Sequence, residues 1–174
     1  MLTEIDRVLL ATPDAAGAAA RWKALLGAEE AGRDTLPGLA ARRTILRLGT
    51  SEIELLEPDG TGAVDDALKR RGRAHLFAAG ATSPDPAAVA RTAKAQAAVH
   101  ARADGRDYLT LTIEGAPINF VISPEAERPQ VGGIDFLYEA TVLAADQAGA
   151  VAKIRDAFGL DETCFTTITS ETFG

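Results

Sequence analysis

One strand–turn–helix stretch occurs twice in this chain, and a duplicated unit of that size restricts the fold more than any single residue does. The first copy runs from Ile5 to Glu30 and reads IDRVLLATPDAAGAAARWKALLGAEE; the second runs from Ile134 to Glu162 and reads IDFLYEATVLAADQAGAVAKIRDAFGLDE. Asp14 recurs as Asp146, Gly17 as Gly149 and Gly27 as Gly159, each 132 residues further on. In both copies the Asp is placed to cap a helix N-terminus and the last Gly to stop it. Within the first helix Ala18, Trp22, Leu25 and Leu26 share one face at i, i+4, i+7 and i+8 spacing.

The chain between the copies reads as more of the same architecture. Asp6 to Ala11 is an apolar strand closed by Pro13, and Gly32 to Gly38 is loop-like, with room for one more strand between Gly32 and Arg42. Arg43 to Leu48 and Glu52 to Leu56 flank Gly49-Thr50-Ser51 and predict a hairpin. After a loop at Pro58 to Gly62 and a short helix at Ala63 to Arg70, a second unit begins with a strand from Arg73 to Ala79. Asp85 then caps a helix with Pro86 at its first position, running to about Gln96. Strands follow at Ala98 to Ala103, Tyr108 to Ile113 and Pro117 to Ile122, with Asp104-Gly105 and Gly115 in the turns. The pattern predicts two βαβββ units, about 4–58 and 72–123, within a domain spanning 1–123, and a linker at 124–133. Residues 134–174 read as a partial third unit: a strand to about Leu143, a helix from Asp146 to Phe158 and a strand near Phe165 to Thr169. That piece would pair with another subunit, pack on the first two units, or begin a longer natural chain.

Composition excludes several functions. The chain has 174 residues and a net charge of −7, which argues against a nucleic-acid partner and against a polybasic membrane contact. Cys164 is the sole cysteine, so no internal disulfide can form, and a reducing cytoplasm is the expected setting. The start, Met1-Leu-Thr-Glu-Ile-Asp, lacks the basic and apolar regions of a signal peptide, and no apolar run approaches the ~20 residues of a spanning helix. Phosphate-cradling glycine loops and the serine-hydrolase elbow are missing as well.

Two βαβββ units in tandem, opening IDRVLLATPD and carrying the hairpin EIELLEPDG, resemble the vicinal oxygen chelate superfamily. Glyoxalase I, methylmalonyl-CoA epimerase, extradiol dioxygenases and bleomycin-resistance proteins belong to it. The likeness covers residues 4–123 as a complete pair of units, and EIELLEP, a short helix and then GRAHLFA are most similar to the epimerase members. The resemblance implies an α+β fold in which the units form a curved mixed sheet with a concave cup. It also implies a divalent metal (Zn, Ni, Co, Mn or Fe) held by four inward-facing residues, whose positions here are Arg7, Glu54, His75 and Asn119.

Those four are a poor donor set. Arg7 is a permanent cation without a lone pair to donate, and Asn119 offers one neutral amide oxygen, so only Glu54 and His75 remain as good ligands. The expectation is a degenerate metal site. In it, Arg7 either pairs with Glu54 across the cup or holds an anionic ligand, unless it is merely a solvated strand-end residue. His75 is read as general base, residual ligand or hydrogen-bonded core residue, and Glu54 as its partner or as an ordinary strand carboxylate. Tyr108 is a candidate pocket residue along with Arg7 and Asn119, and His100 is expected to be exposed. The function expected is therefore binding of a small anionic or aromatic molecule in the cup, without a cofactor. The alternative is a metal-dependent isomerase, epimerase or lyase of the glyoxalase type with Glu54 and His75 as catalytic residues. A homodimer through residues 134–174 is the expected assembly.

Overall fold

The computed structural model describes residues 1–96 and 98–166. Unit one contains β1 (Ile5–Ala11), α1 (Ala15–Leu26), β2 (Glu29–Leu36), β3 (Ala41–Leu48) and β4 (Ser51–Pro58). A connecting helix, α2 (Ala63–Arg71), leads to β5 (His75–Ser83), α3 (Pro86–Ala95), β6 (Val99–Ala103), β7 (Arg106–Ile113) and β8 (Ala116–Pro124). The last helix is α4 (Gln147–Phe158), followed by a 3-10 turn at Glu162–Cys164. Within each unit the first strand lies parallel to the last, β1 with β4 and β5 with β8, and antiparallel pairing of β1 with β5 joins the units. The result is one curled, mixed, eight-stranded sheet in the order β2-β3-β4-β1-β5-β8-β7-β6.

Alternation along the strands sorts side chains into an outer and an inner face. Outside, α1 lays Ala15 and Ala19 on Leu46, Ile53 and Leu55. The corresponding region of the second unit is covered by α3 together with α4, where Val89, Ala93, Ala157 and Phe158 pack on Leu109 and Ile122. Inside, α2 contributes Val64 and Ala67 to a core with Leu9, Leu56, Phe77 and Tyr108, which draws on both units. All three long helices are capped as the repeat predicts. The side chains of Asp14, Asp85 and Asp146 accept from the backbone N–H of Gly17, Ala88 and Gly149 at 2.8, 2.9 and 2.9 Å.

The strand for which the stretch between Gly32 and Arg42 left room is β2, an edge strand whose residues Glu29–Leu36 are mostly exposed and so carry no apolar period, followed by a 3-10 turn at Pro37–Leu39. The structure departs from the sequence reading in the third unit. The strand expected up to Leu143 is not formed: residues 134–144 have no regular secondary structure. A strand needs a neighbour for its backbone groups, and among the described residues the third unit supplies none. Its helix needs no such partner and forms. The strand expected near Phe165 to Thr169 lies outside the described residues from 167 onward, and Phe165 and Thr166 are not in a strand.

The segment after β8 runs back along the β3–β4 turn. Val131 and Gly49 exchange backbone hydrogen bonds at 2.6 and 3.2 Å, and Thr50 N–H donates to the Asp135 carbonyl at 2.8 Å. Gly49 has φ +62°, and a Cβ there would run into the Asp135 backbone, so glycine is required both for the turn and for the strap across it.

Candidate functional site

The concave face is lined with charge. A register shift on β1 between Ile5 and Arg7 turns two consecutive residues, Asp6 and Arg7, towards one another, and both are buried. The Arg7 stem lies flat over Gly80 of β5, the neighbouring strand, where a Cβ would overlap Arg7 Cγ. From there Arg7 donates through Nε to Asp6 at 3.1 Å and through Nη1 to Glu54 Oε1 at 3.0 Å, with Glu52 Oε2 at 3.1 Å. Burial opposes the charge of Arg7, but Asp6, Glu54 and Glu52 outweigh it and hold the guanidinium protonated.

Glu54 is 0% exposed and is the centre of the cluster. Its Oε1 accepts from Arg7 and Arg106, and its Oε2 from Arg43 Nη1 at 3.0 Å. Burial pushes the Glu54 carboxyl up, yet Arg106, Arg43 and Arg7 together hold it below its ordinary value. Arg43 continues to Asp34 at 2.5 Å and to Asp104 at 2.8 Å. Arg106 also reaches Asp104, at 3.2 Å, and Tyr108 donates its hydroxyl to Asp104 at 3.2 Å. Burial pushes the Tyr108 phenol up, so it stays neutral. From the segment after β8, Arg128 reaches Asp6 Oδ2 at 2.8 Å and Glu52 at 3.4 Å.

Of the residues singled out in the sequence, Arg7 and Glu54 meet as an ion pair. The expected Glu54–His75 partnership is not formed. His75 begins β5 opposite Ala11, whereas Glu54 lies opposite Leu9 on the far side of β1. The His75 Nδ1 is bonded instead to the Arg73 carbonyl at 2.9 Å. Asn119 stitches three strands together, donating to the Phe77 carbonyl at 3.0 Å and accepting from Thr110 at 2.9 Å. His100 is not the free surface residue expected: it is half-buried, 2.7 Å from Asp107. Asp6, Arg43, Glu52, Arg106 and Arg128 were missed. Taken one at a time, each reads as a solvated charge; the signal was an Arg or Glu recurring two or four places apart, and so on one face, in otherwise apolar strands such as EIELL and RTILRL.

A divalent ion does not fit this arrangement. Both oxygens of Glu54 face guanidiniums, and no group of three or more His, Cys, Asp or Glu among the described residues could hold a metal. Cation repulsion from Arg7, Arg43 and Arg106 opposes entry as well.

A cavity lies elsewhere, on the α1 side of the sheet. It is a cleft of ≈ 460 Å³ walled by Leu10, Trp22, Leu25, Leu55 and Leu76, with Arg21 and His75 also bordering it. Its volume lies within the range of ligand-binding pockets.

No protein-family model matches the chain, and no curated protein matches it. Solved structures do match. A variant of the Streptomyces coelicolor methylmalonyl-CoA epimerase in complex with 2-nitronate-propionyl-CoA is 21% identical, with a TM-score of 0.62, over 74% of this chain and 100% of that one. A methylmalonyl-CoA epimerase in complex with methylmalonyl-CoA and NH4+ is also 21% identical, with a TM-score of 0.61 and the same coverage. The Mycobacterium tuberculosis methylmalonyl-CoA epimerase is 18% identical, with a TM-score of 0.60, over 71% of this chain and 90% of that one. The fold is that of the vicinal oxygen chelate proteins, as residues 4–123 suggested.

Proposed function

We propose that this chain binds a small aromatic or otherwise apolar molecule carrying an anionic group, without the help of a metal. The observation that carries the reading is the state of Glu54, whose charge is already matched by three guanidiniums. The centre of the cup is filled by Leu9, Leu56, Val64, Phe77 and Tyr108, so the binding place is the cleft beside α1. There the apolar walls take the body of the ligand, and Arg21 at the border takes its anion.

Trp22 is the chain's only tryptophan and stands in the cleft wall, so it reports on occupancy. Titration with 8-anilinonaphthalene-1-sulfonate is expected to quench Trp22 emission saturably, and Leu76→Glu to abolish the effect. Metal analysis of dialysed protein is expected to find no stoichiometric Zn, Ni, Co, Mn or Fe. Retained metal at one per chain, lost in Glu54→Ala, would overturn the reading.

Epimerase, isomerase or lyase chemistry is the second reading, favoured by the named activity of the structural neighbours. It requires Glu54 to leave its three arginines and His75 to approach it. An epimerisation assay on methylmalonyl-CoA, run with and without added divalent ion, separates the two readings. Metal-dependent turnover favours the second.

A further inference from the structure

We infer that two copies of this chain join by antiparallel pairing of residues 138–142, with Ala140 of one copy directly opposite Ala140 of the other. The inference concerns the segment before α4 and does not rest on the cleft beside α1.

The chain already contains such a joint once. β1 and β5 open the two units and pair antiparallel, with Arg7 opposite Gly80, Val8 opposite Ala79 and Leu9 opposite Ala78. The helix caps show which residues of the two units are equivalent: Asp85 caps α3 as Asp14 caps α1, 71 residues further on. By the same offset Ala78, Ala79 and Gly80 are the counterparts of Arg7, Val8 and Leu9. Val8 therefore faces its own counterpart, and a local twofold axis passes between the two first strands. In the third copy of the repeat, 132 residues after the first, Ala140 takes the place of Val8. α4 follows it with the Asp146 cap, as α1 follows β1 with the Asp14 cap.

The third first-strand has the sequence for this joint and lacks the neighbour. Among the described residues nothing bonds to the backbone of residues 138–144. Alternation puts Phe136, Tyr138, Ala140, Val142 and Ala144 on one face, all of them apolar. Tyr138 is nevertheless 81% exposed. An extended apolar segment with free backbone groups is a template for another strand. A second copy fits it because a twofold joint brings one patch against itself, as β1 and β5 do within the chain. The side chains favour the same register. With Ala140 on the axis, Tyr138 stands against Val142 of the second copy, an aromatic and β-branched pair, and Glu139 against Thr141. Moving the axis to residue 139 would set two carboxylates face to face, which is unfavourable.

The test uses the full chain carrying Cys164→Ser, so that any disulfide comes from an introduced cysteine. Directly opposed residues of antiparallel strands have Cα atoms about 4.5–5.5 Å apart, within the reach of a disulfide. Ala140→Cys is therefore expected to give a covalent dimer on mild oxidation. Leu143→Cys, at a more exposed position, is expected to give none, because the joint holds the two Leu143 positions about 20 Å apart along the strands. Without oxidation, Ala140→Glu and Ala140→Lys are each expected to weaken dimerisation about tenfold in sedimentation equilibrium, and an equimolar mixture of the two to recover it. A native chain that sediments only as a monomer, cross-linking through Leu143→Cys but not through Ala140→Cys, or a Glu and Lys mixture no better associated than either variant alone would each overturn the proposal.

Discussion

At the scale of single residues, Glu54 and Gly80 hold the cup interior together. Glu54→Gln removes the anion around which Arg7, Arg43 and Arg106 gather and leaves buried cations without it. Breaking one side of such a network is expected to lower stability by about 3 kcal/mol, read from urea denaturation. The pH dependence follows from the same group. The Glu54 carboxyl is held below its ordinary value, and so is that of Asp34, chiefly by its hydrogen bond from Arg43. Depressed carboxylates add stability above their unfolded pKa and lose it as pH falls through the folded one. The melting temperature is therefore expected to hold steady from neutral pH down to about pH 5 and to fall below about pH 4. Glu54→Gln should flatten that fall. Gly80→Ala puts a methyl where the Arg7 stem lies and is expected to cost about 1–3 kcal/mol, with a double variant Gly80→Ala/Arg7→Ala recovering part of it.

At the scale of elements, the repeated Asp-x-x-Gly separates what is local from what is not. Asp14 and Asp146 make the same cap over Gly17 and Gly149, and a Cβ on either glycine would press on the capping carboxylate. Yet α3 makes the equivalent bond over Ala88, so the cap itself does not demand glycine. Asp146→Ala is expected to lower stability by about 1 kcal/mol through loss of the cap. The α4 helix contributes more by packing: Phe158 meets Phe120 of β8 edge-on at 4.9 Å and is buried. Phe158→Ala should cost about 3 kcal/mol, a drop in melting temperature of roughly 6–12 °C for a chain of this size. A change no larger than that of a surface substitution would mean that α4 is not docked on α3 in solution.

At the scale of the whole molecule, the segment after β8 ties both units and α4 into one body. It brings Arg128 to Asp6, a backbone bridge to Gly49 and Phe158 to the outer face of the second unit. Deleting residues 124–174 removes all three, and the shortened chain is expected to melt well below the full one. Self-association through 134–174 would use Phe136, Tyr138 and Leu143, all exposed, because the apolar side of α4 is spent on α3. Sedimentation of both chains tests this: a dimer is expected for the full chain and a monomer for the shortened one. No helix among the described residues is long and apolar enough to cross a membrane.

Sequence alone was sufficient wherever the deciding forces act within a few residues. Caps at Asp14, Asp85 and Asp146, the β3–β4 hairpin and the tandem units are all visible as spacing, because helix hydrogen bonds and tight turns close locally. The pairing of Arg7 with Glu54 was legible only as one of three alternatives, from the likeness of residues 4–123 to a known architecture, and the fold selected it. The absence of the strand expected up to Leu143, the separation of His75 from Glu54 and the recruitment of Arg43, Arg106 and Arg128 were decided only in three dimensions. A strand forms only if another strand is there to pair with it, a one-residue register shift redirects a side chain, and a buried carboxylate takes whichever cations the folded chain brings to it.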